Sequence, residues 1–216
     1  MEKHFPTTRT ARYQQLGELT PATRHLWLVL HGYGQLVEYF IRHFAPLHAA
    51  DPAGTVVVAP EALSRFYLSG NGGRVGASWM TRADRLTEIA DQQAYLTTLL
   101  AALRAAAPTA AVTVLGFSQG TATASRWLSQ LATTTDWRPS RLVLWAGDFP
   151  ADALPAAVLL PGLPVAMVYG TRDAYISQAQ FQQQAAALEQ HGAVVGRHSF
   201  AGGHTLDASV LHTLAG

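Results

Sequence analysis

The sequence predicts an α/β fold in which a mainly parallel central sheet is covered by helices on both faces. Short, continuously apolar runs, typical of strands buried on both sides, alternate with longer stretches whose apolar residues recur at helical spacing. This alternation favours a parallel sheet, because each strand then reaches the next through a crossover helix. The 216 residues contain no internal repeat and no recognisable domain boundary, so we expect a single domain spanning residues 1–216.

The predicted elements begin with a hairpin whose strands cover residues 12–17 and 25–30. Further strands are predicted at residues 55–60, 111–115, 141–145, 164–169 and 194–200. Helices are predicted at residues 36–50, 85–107, 121–128, 176–191 and 206–214. Residues 61–84 fit neither period and combine glycines with aromatic side chains, which is typical of a long functional or mobile loop.

Composition removes several classes of chemistry. The chain has no cysteine, which excludes disulfides, thiolate catalysis and cysteine-ligated zinc. Lys3 is the only lysine and lies in the N-terminal tail, so neither Schiff-base chemistry nor a lysine base is expected. A formal net charge of +1 gives no reason to expect a nucleic-acid partner.

The apolar segments do not have the pattern of a membrane or export signal. Residues 1–9 carry no apolar core of the signal-peptide type. The longest apolar region, residues 151–170, is interrupted by prolines and by Asp152. We therefore expect a soluble, cytoplasmic protein without stable membrane insertion.

The pentapeptide Gly-Phe-Ser-Gln-Gly at residues 116–120 lies between an apolar run and a helix-compatible stretch. This context turns the common G-x-S-x-G pattern into a nucleophile elbow, the sharp strand-to-helix turn that exposes a reactive serine. Gly116 and Gly120 suit the turn, because strand and helix can close together only over small residues. We predict that Ser118 is a nucleophile at the carboxyl edge of the sheet.

A serine nucleophile needs a base, and the base needs an orienting acid. Asp173 and His204 each follow a late predicted strand through a glycine-containing turn, in the chain order Ser, Asp, His that is typical of α/β-hydrolases. We predict that His204 is the general base and that Asp173 orients it. Asp148, which follows the preceding strand, is the alternative acid.

A tetrahedral intermediate also needs two backbone N–H donors. One is expected from Gln119, the residue after the nucleophile. The other is expected from Tyr33, in the loop His31-Gly32-Tyr33-Gly34 that follows the first central strand. We interpret His31 as a structural hydrogen-bonding residue that shapes this loop.

Four segments together resemble the phospholipase/carboxylesterase family of α/β-hydrolases, which includes the acyl-protein thioesterases. The matching segments are residues 30–34, 116–120, 170–173 and 202–204. By this resemblance Ser118, Asp173 and His204 match the family's triad, and Tyr33 and Gln119 match its oxyanion donors. The resemblance also implies hydrolysis of carboxylic esters or thioesters without a cofactor.

Aromatic and sulfur side chains near these motifs are candidates for contact with substrate. Tyr67, Trp79, Met80 and Phe149 are predicted to line an acyl pocket, the alternative being that they pack loops onto the core. No metal is expected, because the sequence has no His-Glu-x-x-His motif and no tight cluster of ligands.

The function predicted from these residues is that of a serine carboxylesterase acting on small-molecule esters, with short to medium acyl chains. Three other interpretations stay open: a thioesterase or lysophospholipase-like hydrolase, an acyltransferase, and a hydrolase fold kept as a non-catalytic ligand receptor. An intact triad argues against the last of these, because a receptor has no need of one.

Overall fold

A seven-stranded sheet lies at the centre of the protein in this computed structural model, which describes residues 1, 3–154 and 158–215. The described residues form the strands β1 (Tyr13–Leu16), β2 (His25–Leu30), β3 (Thr55–Pro60), β4 (Ser64–Tyr67), β5 (Val75–Ser78), β6 (Ala111–Phe117), β7 (Arg141–Trp145), β8 (Pro164–Gly170) and β9 (Val194–Phe200). The large sheet has the order β1-β3-β2-β6-β7-β8-β9, and β4 pairs with β5 separately.

All strands of the large sheet run parallel except β1, which is antiparallel to β3 at one edge. The described helices are α1 (Val37–Phe40), α2 (Ala45–Ala50), α3 (Arg85–Ala106), α4 (Gln119–Thr134), α5 (Gln178–Gln190) and α6 (Ala208–Ala215). This architecture confirms the predicted α/β fold.

Side chains of the sheet alternate between two hydrophobic clusters, one on each face. In β2, Leu26 and Leu28 point into one cluster while Trp27 and Val29 point into the other. Buried residues of α3, α4 and α5 complete the first cluster, and those of α1, α2 and α6 complete the second. Because each face is covered by helices, the continuously apolar strands are buried on both sides, as predicted.

The predicted opening hairpin is wrong. β1 pairs with β3, and β3 then pairs with β2, so the two strands predicted to form the hairpin are not neighbours. The apolar strand β2 instead lies between two parallel partners, β3 and β6. The more polar β1 takes the edge position, where one side of the strand has no partner among the described strands.

The segment 61–84, predicted to be a loop, contains the antiparallel pair β4–β5. The strands are four residues long, and their alternation is short and interrupted by Gly76. A period of two cannot be recognised over so few residues. A bridge between Gln35 and Ala77 connects this small sheet to the loop after β2.

The helix predicted at residues 36–50 is divided. A 3₁₀ turn, Ile41–Phe44, separates α1 from α2, and Pro46 lies in the first turn of α2. Proline has no N–H to donate and its ring clashes with the preceding turn, so a helix that continued through Pro46 would be kinked or broken. Phe40, Phe44 and Leu47 are nevertheless buried together, as the spacing predicted.

Among the described residues, no helix combines the length and the apolar character that crossing a membrane requires.

Candidate active site

Ser118 lies in the turn between β6 and α4, at the carboxyl edge of the sheet. Its backbone has φ of +52° and ψ of −116°, a strained conformation for a residue that carries a side chain. A Cβ on Gly120 would lie 2.3 Å from the carbonyl oxygen of Leu30, and one on Gly116 would lie 2.4 Å from that of Gly120. Only glycine therefore allows α4 to approach β2 and β6 this closely.

Asp173 and His204 lie in the turns after β8 and β9, which are neighbours in the sheet. The two turns touch at their glycines. A Cβ on Gly170 would lie 2.4 Å from the carbonyl oxygens of both Gly202 and Gly203. This close contact between backbones brings the aspartate and histidine side chains together.

The three predicted side chains form a continuous hydrogen-bonded chain. His204 Nε2 is 2.9 Å from Ser118 Oγ, and His204 Nδ1 is 2.8 Å from Asp173 Oδ2. The other carboxylate oxygen of Asp173 accepts hydrogen bonds from the N–H groups of Tyr175, at 2.8 Å, and Ile176, at 3.2 Å. A carboxylate held this way accepts a hydrogen bond from the Nδ1–H group, which leaves Nε2 unprotonated and able to accept the serine proton.

Aromatic rings lie close to the imidazole of His204. The ring centroid of Phe117 is 5.1 Å away, and that of Tyr175 is 4.7 Å away in an edge-on arrangement. The side chain of Asp173 is fully buried, whereas that of His204 keeps 22% of its surface exposed. Tyr175 was missed by sequence reasoning, and its position two residues after Asp173 is the only signal in the sequence that could have found it.

Among the hydrogen bonds of the described residues, the alternative acid, Asp148, makes none to His204. Within the described parts of the chain, the carboxylate partner of His204 Nδ1 is Asp173. The carbonyl oxygen of Asp148 accepts a hydrogen bond from Thr121 Oγ1 at 3.2 Å, which ties this loop to the first turn of α4.

The loop after β2 runs beside the serine. A Cβ on Gly32 would lie 3.2 Å from Ser118 Cβ, and the N–H of Gly32 donates to Gln35 Oε1 at 2.7 Å. In the part of the chain that the structure describes, neither the Tyr33 N–H nor the Gln119 N–H donates a hydrogen bond. Both remain available to a ligand, and the Gln119 N–H is one of the first of α4, which have no partner within the helix.

His31 is fully buried beneath this loop. Its Nε2 accepts a hydrogen bond from the Ala62 N–H at 3.1 Å, so the proton is on Nδ1, which donates to the Gly32 carbonyl at 2.7 Å. Burial lowers the pKa of His31 to about 4, which outweighs the opposite influence of the Gly32 hydrogen bond and of Glu61. The ring is therefore neutral near pH 7 and serves as a two-sided structural bridge.

Glu61 is a buried carboxylate that sequence reasoning did not single out. Its oxygens accept hydrogen bonds from Arg12 at 2.6 and 2.8 Å and from Arg65 at 2.6 Å. Burial by itself would raise the pKa of Glu61, but the two guanidinium groups outweigh burial and hold that pKa below its usual value. This network anchors β1 and β4 next to the end of β3.

The four predicted substrate contacts lie in different surroundings. Trp79 and Phe149 are buried in the first hydrophobic cluster, Met80 is half-buried, and Tyr67 is 54% exposed on β4. The indole N–H of Trp79 donates to the carbonyl oxygen of His31 at 2.8 Å. Trp79 and Phe149 thus pack loops onto the core, and substrate contact by any of the four stays a prediction.

An open cavity of about 260 Å³ adjoins the loop after β2. Its lining includes Gly34, Gln35, Tyr39, His43 and Arg74. This volume is slightly below the range of roughly 300–1,000 Å³ that is typical of pockets for drug-sized ligands.

Comparison with known families identifies the class of protein. The family model described as serine hydrolase (FSH1) matches residues 23–209, well over half of the chain. The chain belongs to this family. The match confirms that the protein is a serine hydrolase, as the motifs predicted. No curated protein matches its sequence.

Solved structures show the same fold. Esterase PE8 is 23% identical with a TM-score of 0.72, and the match covers 96% of this FSH1-family chain and 97% of the esterase. Acyl-protein thioesterase 2 of Zea mays is 19% identical with a TM-score of 0.68, covering 95% and 96% of the two chains. A phospholipase/carboxylesterase of Dyadobacter fermentans is 16% identical with a TM-score of 0.66, covering 97% of each chain. These likenesses confirm the α/β-hydrolase fold.

Proposed function

We propose that this serine hydrolase is a carboxylesterase in which Ser118 is the nucleophile, His204 the general base and acid, and Asp173 the group that orients the histidine. The hydrogen-bonded chain from Ser118 Oγ through His204 to Asp173 carries the proposal. It has the contacts that a serine nucleophile requires, with the imidazole between hydroxyl and carboxylate.

In the first half-reaction, Ser118 Oγ bonds to the ester carbonyl carbon while its proton moves to His204 Nε2. The carbonyl π electrons move onto oxygen, and the Tyr33 and Gln119 N–H groups stabilise the resulting oxyanion. When the carbonyl re-forms, the bond to the alcohol oxygen breaks and His204 gives its proton to that oxygen. The acyl group is then held as an ester of Ser118.

Water completes the cycle. It attacks the acyl carbon as His204 takes one of its protons, and a second tetrahedral intermediate forms at the same oxyanion site. Its collapse breaks the bond to Ser118 Oγ, and His204 returns the proton to that oxygen. The free enzyme and a carboxylic acid result, so hydrolysis consumes one water for each ester and needs no further reactant.

Short to medium acyl chains are the proposed substrates. A cavity of about 260 Å³ adjoins Gly34 and Gln35 in the loop that carries Tyr33, and it has room for a small acyl or alcohol group, although its lining includes none of the three triad residues. The substrate is thus proposed to be a small-molecule ester, and the cytoplasmic location stays a prediction.

The proposal is tested by hydrolysis of p-nitrophenyl esters from acetate to palmitate. Ser118→Ala is expected to abolish turnover while circular dichroism and the melting temperature show an intact fold. Ser140→Ala, which removes an exposed hydroxyl elsewhere, is the matched control and should keep full activity. Turnover retained by Ser118→Ala would contradict the mechanism, and an optimum at palmitate would contradict the proposed chain length.

A second arm compares the oxygen ester with the thioester of the same acyl group, p-nitrophenyl butyrate with S-(4-nitrophenyl) thiobutyrate. We expect the higher kcat/KM for the oxygen ester. A preference for the thioester would reassign the enzyme as a thioesterase without changing the roles of the three residues.

A further inference from the structure

The residue after the proposed nucleophile has a side chain that bonds to a different part of the fold. Gln119 Oε1 accepts a hydrogen bond from the Trp79 N–H at 3.0 Å, and Gln119 Nε2 donates to the carbonyl oxygen of Met80 at 2.8 Å. The same Nε2 is 3.2 Å from Ser78 Oγ. The amide thus joins the first turn of α4 to the end of β5.

The polar groups in this contact satisfy one another. The fully buried Ser78 hydroxyl donates to the Met80 carbonyl at 2.9 Å and accepts from Gln119 Nε2. Both hydrogens of the Gln119 amide and its oxygen are therefore used, and the Met80 carbonyl receives two hydrogen bonds. A network without spare donors holds its members in one arrangement.

The other proposed oxyanion donor is tied to the same strand. The Gly34 N–H donates to the Ala77 carbonyl at 2.8 Å, and the Ala77 N–H donates to the Gln35 carbonyl at 3.2 Å. Both the N–H and the carbonyl of Ala77, directly before Ser78, therefore bond to the loop that follows β2. Tyr33 precedes Gly34, so β5 is a common support for the backbone of both donors.

We infer that the Gln119 side chain and the Ser78 hydroxyl are positioning residues that fix the distance between the two oxyanion donors. The inference rests on the proposed function, because it assumes that Tyr33 and Gln119 donate to the oxyanion. The Gln119 side chain acts through the backbone that carries its own N–H and touches no reacting atom.

Positioning of the two donors matters because the oxyanion hole tolerates only small changes in the distance between each donor and the oxyanion. Its donors act when they are about 2.7–3.1 Å from the oxyanion, and productive sites tolerate displacements of roughly 0.5 Å. Ser118 itself is also held by its N–H, which donates to the Trp145 carbonyl at 2.8 Å. Loss of the Gln119 amide should therefore leave the nucleophile in place and loosen the donors.

The first test is Gln119→Leu, measured with p-nitrophenyl butyrate, with a fluorophosphonate that labels serine, and with a boronic acid that forms a tetrahedral adduct on Ser118. We expect kcat, the labelling rate and the boronic-acid affinity each to fall about 10- to 100-fold, with KM changed less than about twofold. Gln15→Leu is the matched control, since Gln15 is also half-buried and donates to a backbone carbonyl, that of Gly17, at 2.8 Å. Gln15→Leu should leave kcat, the labelling rate and the boronic-acid affinity unchanged.

A second variant separates positioning from general loss of stability. In Gln119→Glu, an ionised carboxylate repels the Met80 carbonyl, whereas a protonated one can donate to it. The labelling rate of this variant relative to wild type should therefore rise as the pH is lowered from 8 to 5. Ser78→Ala, which keeps the Gln119 amide, should lose about 3- to 10-fold in labelling rate. If Gln119→Leu does not fold, Ser78→Ala tests the positioning role in its place.

Two results would overturn the inference. One is a Gln119→Leu enzyme that melts earlier but keeps wild-type kcat and boronic-acid affinity, because the amide would then only stabilise the fold. The other is a pH-independent ratio for Gln119→Glu together with full activity of Ser78→Ala. If Ser118→Ala keeps its turnover, the proposed function is wrong and the inference is wrong with it. If Ser118→Ala is inactive but Gln119→Leu is fully active, only the inference is wrong.

Discussion

The two halves of the candidate site are held by different kinds of contact. Ser118, Asp173 and His204 lie at the ends of parallel strands of one sheet, and tight glycine turns hold each of them. The proposed oxyanion donors depend on a strand of another sheet, through hydrogen bonds such as that between Trp79 and Gln119, 40 residues apart in sequence. One half is therefore positioned by strand-end turns and the other by a polar network between distant segments.

This difference determines how each half should respond to mutation. On the triad side, geometry depends on close approach of backbones and on one histidine tautomer, so small chemical changes should have large effects. On the oxyanion side, several hydrogen bonds share the work of positioning, and loss of one should weaken catalysis by degrees. The predictions below test this contrast, from the largest expected effect to the smallest.

Asp173→Asn should lower kcat by about 10⁴-fold, equivalent to about 5 kcal/mol in activation free energy. To keep an acceptor for the Tyr175 and Ile176 N–H groups, the new amide must turn its NH₂ toward His204 Nδ1. The histidine proton then moves to Nε2, which can no longer accept the proton of Ser118. The measurement is kcat for p-nitrophenyl butyrate.

The matched control for this change is Asp148→Asn, at the alternative acid, which should alter kcat less than about twofold. The opposite pattern, with Asp148→Asn inactive and Asp173→Asn active, would transfer the role of the acid to Asp148.

Gly120→Ala should reduce the free energy of unfolding by about 4 kcal/mol, measured by urea denaturation. The added methyl group would lie 2.3 Å from the Leu30 carbonyl oxygen, and a backbone atom on a central strand cannot easily move away. Gly72→Ala in the β4–β5 turn is the control, since its methyl group would meet no atom within 4 Å. Equal stability of the two variants would mean that α4 can shift freely on the sheet.

Stability should fall by about 3 kcal/mol as the pH decreases from 6.5 to 4, through His31 alone. Burial lowers the pKa of His31 to about 4 in the folded protein, whereas the unfolded chain takes up the proton near 6.5. Within this window the unfolded state binds more protons, so the free energy of unfolding decreases as the pH falls. Urea denaturation at several pH values measures this decrease in the free energy of unfolding.

In His31→Gln this part of the pH dependence should disappear, even if the variant is less stable at every pH. A slope in His31→Gln equal to that of wild type would assign the acid sensitivity to other groups. Since His31 bridges Gly32 and Ala62, the variant also tests how far the oxyanion side depends on its buried supports.

Much of the fold could be predicted because the spacing of apolar residues along a segment indicates whether that segment forms a strand or a helix. β3 and β9 have the predicted bounds, and α3 differs from its prediction by one residue at its end. The pairing of β1 could not be predicted in this way, since local period does not say which strand lies next to which. The β4–β5 pair was missed because four-residue strands are too short to show alternation.

The same distinction holds for the candidate site. Ser118, Asp173 and His204 could be selected because each follows a recognisable strand through a turn that contains glycine, and the structure brings their side chains within hydrogen-bonding distance. The tautomer of His31, the buried Glu61 network and the Gln119–Ser78 contacts had no sequence signal. Each of them joins polar groups from segments that no motif connects.

The sequence by itself thus determined the alternation of strands and helices, the glycines of the elbow and the order of the three polar residues, because these follow from side-chain size and period along the chain. The tertiary structure alone decided that β5 supports both proposed oxyanion donors and that β1 lies at the edge of the sheet. Both features depend on hydrogen bonds between segments that are distant in sequence. Which of these segments become neighbours depends on the packing of the whole chain.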